Sequence, residues 1–187
     1  MKISFRKLSL GLLFFALCST GFSVSAPAEE TGKFYTKSNI WYEKSEKILS
    51  TNYHKGVMIP IGTEVEVLKS NRKKIEFRDS ASGTVFKIKL VKKYTDLNPD
   101  EFFNRYFSKD NILNSGEFNS LSPMEKEAVK AGRIEKDMSK AAVLLAYGYP
   151  PTHRTPSTDQ DTWTYWVSRM GNFLVQFEGG KVTASGH

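Results

Sequence analysis

The chain has 187 residues, 40% of them hydrophobic and 13% aromatic, with a formal charge of +7. That length suits one ordinary domain or two small ones, and the composition excludes an unfolded polymer. The charge excludes a polyelectrolyte, since it falls from +7 to +4 once Lys2, Arg6 and Lys7 leave with an N-terminal signal.

Those three cations form a positive n-region. "LSLGLLFFAL", from Leu8 to Leu17, is an apolar stretch too short for a good membrane span, and "STGFSVSAPA" supplies small residues. The pattern predicts a secretory signal over residues 1–28, cut after Ala28 by the small-x-small rule that Ala26 and Ala28 satisfy. The expected location is the periplasm. The competing reading is an outer-membrane lipoprotein acylated at Cys18, which the bulky Leu17 just before it disfavours. Cys18 is the single cysteine, so the mature chain is expected to have no disulfide, thiol nucleophile or cysteine-ligated metal.

Residues 29–95 read as β-structure. In "IPIGTEVEVLK", Val65 and Val67 alternate with Glu64 and Glu66. "SNRKK" turns the chain into "IEF", and "DSASG" turns it again into "TVFKIKL", where Phe86, Ile88 and Leu90 oppose Lys87 and Lys89. Short strands joined by tight polar turns predict a small barrel. The phrase "IPIGTEVEVL" before a hairpin resembles bacterial SH3-like barrels.

Residues 96–120 read as a helix and a linker. Asn98, Pro99 and Glu101 form a start signal, and Phe102/Tyr106 and Phe103/Phe107 pair four residues apart. "SKDNILNSGEFNS" shows no period and is expected to be linker.

Residues 121–187 open on Ser122-Pro123-Met124-Glu125, a capping box with proline at the first helical position. Gly132 ends that helix. Ser139 caps a second, "KAAVLLAY", which is apolar nearly all round, and Gly148 is expected to stop it in a left-handed turn before Pro150 and Pro151. An antiparallel meander should follow. Trp163, Tyr165 and Val167 share one face, and Phe173, Val175 and Phe177 share the matching one. Gly179-Gly180 turns into "KVTA". The overall fold class is α+β. The stretch from Asp137 to Val182, "DMSKAAVLLAYGYPPTHR…WTYWV…FLVQFEGGKV", resembles the SmpA/OmlA (BamE-like) domain. That resemblance implies an ααβββ layer, an envelope location and a non-enzymatic role in protein contacts.

Chemistry-bearing motifs are sparse. His54, His153 and His187 show no metal-ligand spacing, and each reads as a solvated residue of a turn, loop or tail. Ser157, His153 and Asp159 share a loop, but no nucleophile-elbow phrase accompanies them, so the loop reads as a helix-to-sheet connection. No phosphate or dinucleotide fingerprint occurs. The sequence therefore predicts a protein without catalysis, metal or cofactor.

Three surfaces remain. Lys69, Arg72, Lys73, Lys74, Lys87 and Lys89 form a candidate basic patch for lipid head groups or an anionic wall polymer. The competing role for these lysines is protection of strand edges. Trp41, Tyr42 and Tyr53, in "IWYEK" and "TNYHK", are candidates to stack on sugars, the alternative being burial in the core. Trp166 should face away from the helices and mark a contact surface, covered by the N-terminal part or by a partner protein. The expected partners are envelope proteins or an anionic envelope polymer, and not nucleic acid. The function so read is a non-catalytic interaction protein of the cell envelope. Its alternative is a ligand-binding module for peptidoglycan or another anionic polymer.

Overall fold

The computed structural model describes residues 31–95 and 97–186. The expectations for residues 1–28, Cys18 and His187 lie outside that range. Alternation of apolar and polar residues builds most of the first half. β1 (Gly32–Thr36), β2 (Ile40–Tyr42), β3 (Ile48–Leu49) and β4 (Val57–Ile59) are short. β5 (Glu64–Ser70), β6 (Lys74–Asp79) and β7 (Val85–Lys89) form the hairpins expected around the polar turns. Val65, Val67, Ile75, Phe77 and Ile88 all point into one core. α1 (Pro99–Tyr106) follows, then β8 (Phe107–Ser108).

The sheet order is β3-β7-β6-β5-β1-β8, and no pairing joins its two edges among the described residues. The barrel expected for residues 29–95 is therefore not closed. Two features account for this. The edge strands are two residues long, too short to bridge the gap, and β2 leaves the sheet to pair with β4 in a separate ribbon. α1 seals the open side instead. Its capping box joins Asn98 and Glu101, and Phe103 packs edge-on against Phe34 at 4.9 Å. Just past the helix, Phe107 meets Phe77 at 5.1 Å.

The stretch expected to be linker is structured. It holds a 3-10 turn (Ile112–Asn114) and α2 (Gly116–Asn119), each opened by a side-chain cap, from Asn111 and Ser115. Ile112 and Phe118 are buried in a second core, so apolar anchors, not periodicity, order this segment.

α3 (Pro123–Ala131) carries the Ser122/Glu125 capping box, and α4 (Lys140–Tyr147) is capped by Ser139. β9 (Thr162–Trp166), β10 (Asn172–Glu178) and β11 (Lys181–Gly186) form an antiparallel sheet ordered β11-β10-β9. Trp163, Tyr165 and Val175 are fully buried against Val129, Val143 and Ala146. Each such side chain stabilises the fold by roughly 2–3 kcal/mol. Gly148 ends α4 at φ 74°, ψ −173°: φ is positive, as expected of a glycine stop, but ψ lies outside the left-handed helical turn. The architecture is α+β, with two cores built on two sheets.

Polar bonds and aromatic contacts join the cores. An α-helix leaves its last four carbonyls without partners. In α4 these belong to Leu144, Leu145, Ala146 and Tyr147. The Gly148 N–H takes the first. The first half of the chain supplies the rest. The Asn39 N–H reaches Leu145 O, Asn39 Nδ2 donates to Ala146 O at 2.9 Å, and Asn52 Nδ2 donates to Tyr147 O at 2.9 Å. Asn39 is fully buried; it also donates to Val129 O at 2.7 Å and accepts from the Ile61 N–H at 2.8 Å.

Candidate binding cleft

Beside this polar joint, β2, held in its ribbon by β4, and the segment after it line a half-open cleft of about 420 Å³. Its position follows from local geometry. Gly56 sits at φ 88°, and a Cβ there would lie 2.3 Å from Tyr42 O, so only glycine lets the chain pass this close and pair β4 with β2. Trp41 lies over Gly132, the C-cap of α3, where a Cβ would come within 2.9 Å of the indole. The indole also packs against His54 at 4.5 Å and Tyr147 at 5.1 Å. Tyr42 is set edge-on to Phe86 at 5.0 Å.

The structure brings the three aromatics singled out in the sequence into this one cleft. Trp41, Tyr42 and Tyr53 line it, each half-buried, with Ile48 and Leu49 behind them. Lys44, Lys47, Lys55 and Arg169 add four cations, opposed by Glu43 alone among the lining residues. Glu43 is bound to Lys55 at 2.9 Å, whereas Lys44, Lys47 and Arg169 have no ion pair among the described residues. The surplus charge is thus positive beside exposed aromatic faces.

Arg169 comes from the other half of the molecule, on the β9–β10 hairpin. That turn is braced by the Val167 N–H to Gly171 O at 3.0 Å and by the Gly171 N–H to Ser168 Oγ at 2.9 Å. The His54 N–H donates to Trp166 O at 3.0 Å, which fixes Tyr53 beside the hairpin. Sequence reasoning missed these cations. Lys44 and Lys47 alternate with Glu43 and Glu46 in an apparently neutral run, and nothing local to Arg169 marks its partner across the chain.

His54 is the largest correction to the sequence reading. Instead of a solvated turn, it occupies the joint. Its ring stacks on Tyr147 at 4.3 Å and meets Tyr165 edge-on at 5.2 Å. Nδ1 faces Trp166 O at 3.2 Å, and Nε2 faces Tyr147 O at 3.0 Å. Burial pushes its pKa down to about 4, although both carbonyls favour the charged form. One edge of the ring still reaches an adjoining surface pocket with Ile134 and Phe173. At neutral pH the ring is uncharged and donates to one of its two carbonyls. It is a structural group, since both nitrogens are turned to the backbone.

Trp166 is half-buried on the face opposite Trp163 and Tyr165. Its ring lies beside Tyr94 at 6.3 Å and His153 at 5.6 Å, within the chain. His153 is exposed and turns Nδ1 to Tyr94 O at 3.2 Å. Ser157 donates to Asp159 at 2.9 Å, and Lys140 binds Asp161 at 3.1 Å, so the loop's polar groups brace the loop and tie it to α4.

The basic patch is spread over the outer face of β5–β7. Lys74 and Lys87 both reach Glu76, and register sets Lys69 opposite Glu76 and Lys74 opposite Lys89. The bond from Lys74 holds the Glu76 carboxyl below its usual range. Arg72 and Lys73 are exposed at the hairpin tip. Among the described residues no group of acidic, histidine or cysteine side chains is suited to hold a metal, and no helix is long and apolar enough to cross a membrane.

Comparison with protein-family models, with curated proteins and with solved structures returns no match for this chain.

Proposed function

We propose that the chain is a non-catalytic binding protein of the cell envelope, and that the Trp41/Tyr42/Tyr53 cleft receives an anionic envelope polymer. The observation that carries this reading is the cleft's composition: three half-buried aromatics beside four cations and one carboxylate. Ligand sites are mostly apolar concavities with a few placed polar groups, in a volume range of roughly 300–1,000 Å³. The signal-like segment 1–28 supports export to the periplasm. The order helix, helix, three-stranded meander supports the resemblance to SmpA/OmlA domains, and the open first sheet gives the SH3-like comparison less support. The non-catalytic reading rests on His54 and His153, each engaged with backbone carbonyls and not with a nucleophile among the described residues.

One observation favours a second reading, capture of an envelope protein. Met170, next to Arg169 on the hairpin tip, is 92% exposed, and Val57 is 59% exposed. Purified protein incubated with isolated wall polymer and, separately, with envelope proteins distinguishes the two. Retention on wall polymer that is lost in a Lys44→Ala/Lys47→Ala/Arg169→Ala variant supports the first. Retention of proteins alone, lost on Met170→Ser, replaces it with the second.

A further inference from the structure

The cleft is not the property of one half of the molecule. Its aromatics and lysines come from residues 41–55, but Arg169 comes from the β9–β10 hairpin. The floor is shared as well. Trp41 lines the cleft on one side and packs on His54, Tyr147 and Gly132 of the joint on the other. A ligand that touches both Tyr53 and Arg169 therefore spans the two halves.

We infer that this ligand is a segment of acidic polysaccharide, with sugar faces on Tyr42 and Tyr53 and a carboxylate on Arg169, and that its binding locks the two halves of the chain together. The inference rests on the reading of the cleft as a polymer site and names the polymer's class. Three features select it. The tyrosine rings are half-buried, so each offers a flat apolar partner edged by a hydroxyl, which suits the C–H face and hydroxyl rim of a pyranose. The unpaired cation on the hairpin is arginine, whose planar fork matches a carboxylate in two parallel bonds. Lys44 and Lys47 lie nearby as point charges, suited to further carboxylates along a chain. Any ligand that binds only the docked arrangement stabilises it by mass action.

The test uses the full-length mature chain and oligogalacturonate as the acidic probe. Its comparison arms are a neutral dextran oligomer, dextran sulfate, and phosphatidylcholine vesicles containing phosphatidylglycerol. Binding is read by calorimetry and docking by the shift in melting temperature. The inference expects oligogalacturonate to bind and to raise the melting temperature. Arg169→Ala should weaken binding at least tenfold and abolish that shift, while leaving the ligand-free melting temperature unchanged, because Arg169 has no ion pair or hydrogen bond among the described residues. Tyr53→Ala, confirmed folded by its spectrum, should weaken binding similarly. Dextran should not bind. Equal binding by wild type and Arg169→Ala overturns the inference, as does binding of dextran sulfate that matches oligogalacturonate and ignores Tyr53→Ala. Vesicle binding without oligogalacturonate binding also overturns it and assigns a lipid head group. If oligogalacturonate fails while wall polymer is still held in a cleft-dependent way, the sugar class is wrong and the polymer site stands.

Discussion

Two clusters of cations lie on this molecule, and they differ in what lies beneath them. On the outer face of β5–β7, lysines stand on an open sheet and share Glu76, which holds Lys74 and Lys87. Around the cleft, Lys44, Lys47 and Arg169 stand unpaired beside aromatic rings whose positions are fixed by the joint between the two halves. The first arrangement is paired in part and keeps strand faces soluble. The second holds charge next to immobile apolar surface. Positive charge alone does not make a site; a fixed floor beside it does.

The contrast fails if the floor is not fixed, and Asn39 tests that most severely. Asn39→Ala leaves Val129 O, Ala146 O and the Ile61 N–H without their side-chain partner. Val129 O keeps the Gly132 N–H, but the other two are left unpaired, and at about 1–3 kcal/mol for each a stability loss of about 3 kcal/mol is expected in denaturant unfolding. A loss under 1 kcal/mol would mean that the joint does not hold the halves together.

Acid should loosen the same floor. The folded-state pKa of His54 is about 4, below its ordinary 6.5. Above pH 6.5 the ring is neutral in both states and its protonation costs nothing. As pH falls from 6.5 toward 4, the unfolded chain gains the proton first and stability drops, by up to about 2 kcal/mol once the partly open ring edge is allowed for. His54→Phe should flatten this limb. Glu125 acts lower down. Burial raises its pKa, but bonds from Ser139 and Ser122 outweigh burial and hold it near 2, so its contribution is present above 4.5 and lost toward 2. An unfolding series between pH 7 and pH 4 in wild type and His54→Phe checks the assignment.

Removing cleft charge should act on binding without touching stability. Lys47→Ala is expected to weaken polymer binding about tenfold, close to 1.4 kcal/mol, with an unchanged melting temperature. The smallest effect belongs to the sheet face. Lys69→Ala, Lys87→Ala and Lys89→Ala should each change stability by less than about 0.5 kcal/mol and leave cleft binding as it was. Loss of binding in that series, measured by the same retention on wall polymer, would erase the distinction between the two clusters.

How far the sequence foretold this arrangement follows from the range of the interactions. The capping boxes at Asn98/Glu101 and Ser122/Glu125 are signals four residues long, and both form. The alternation that buries Trp163 and Tyr165 is equally local. The open sheet was hidden because closure depends on α1 filling the core, a contact set by Phe34 and Phe103 across the chain. His54 was misread for the same reason: its carbonyl partners lie 93 and 112 residues away. The aromatics of the cleft were legible as residue types, but Arg169 was not, since a hairpin loop carries no mark of what it will face.

If the cleft receives the ligand, the sheet face and the Trp166 surface stay free. The chain's three tryptophans report on it directly. Trp41 lines the cleft, Trp163 is fully buried, and Trp166 lies by Tyr94 with its Nε1 buried. In a nitrogen-edited NMR titration with oligogalacturonate or solubilised wall polymer, the Trp41 indole N–H should move with saturable concentration dependence while those of Trp163 and Trp166 hold still. Saturable binding that shifts Trp166 and leaves Trp41 unmoved would place the ligand outside the cleft.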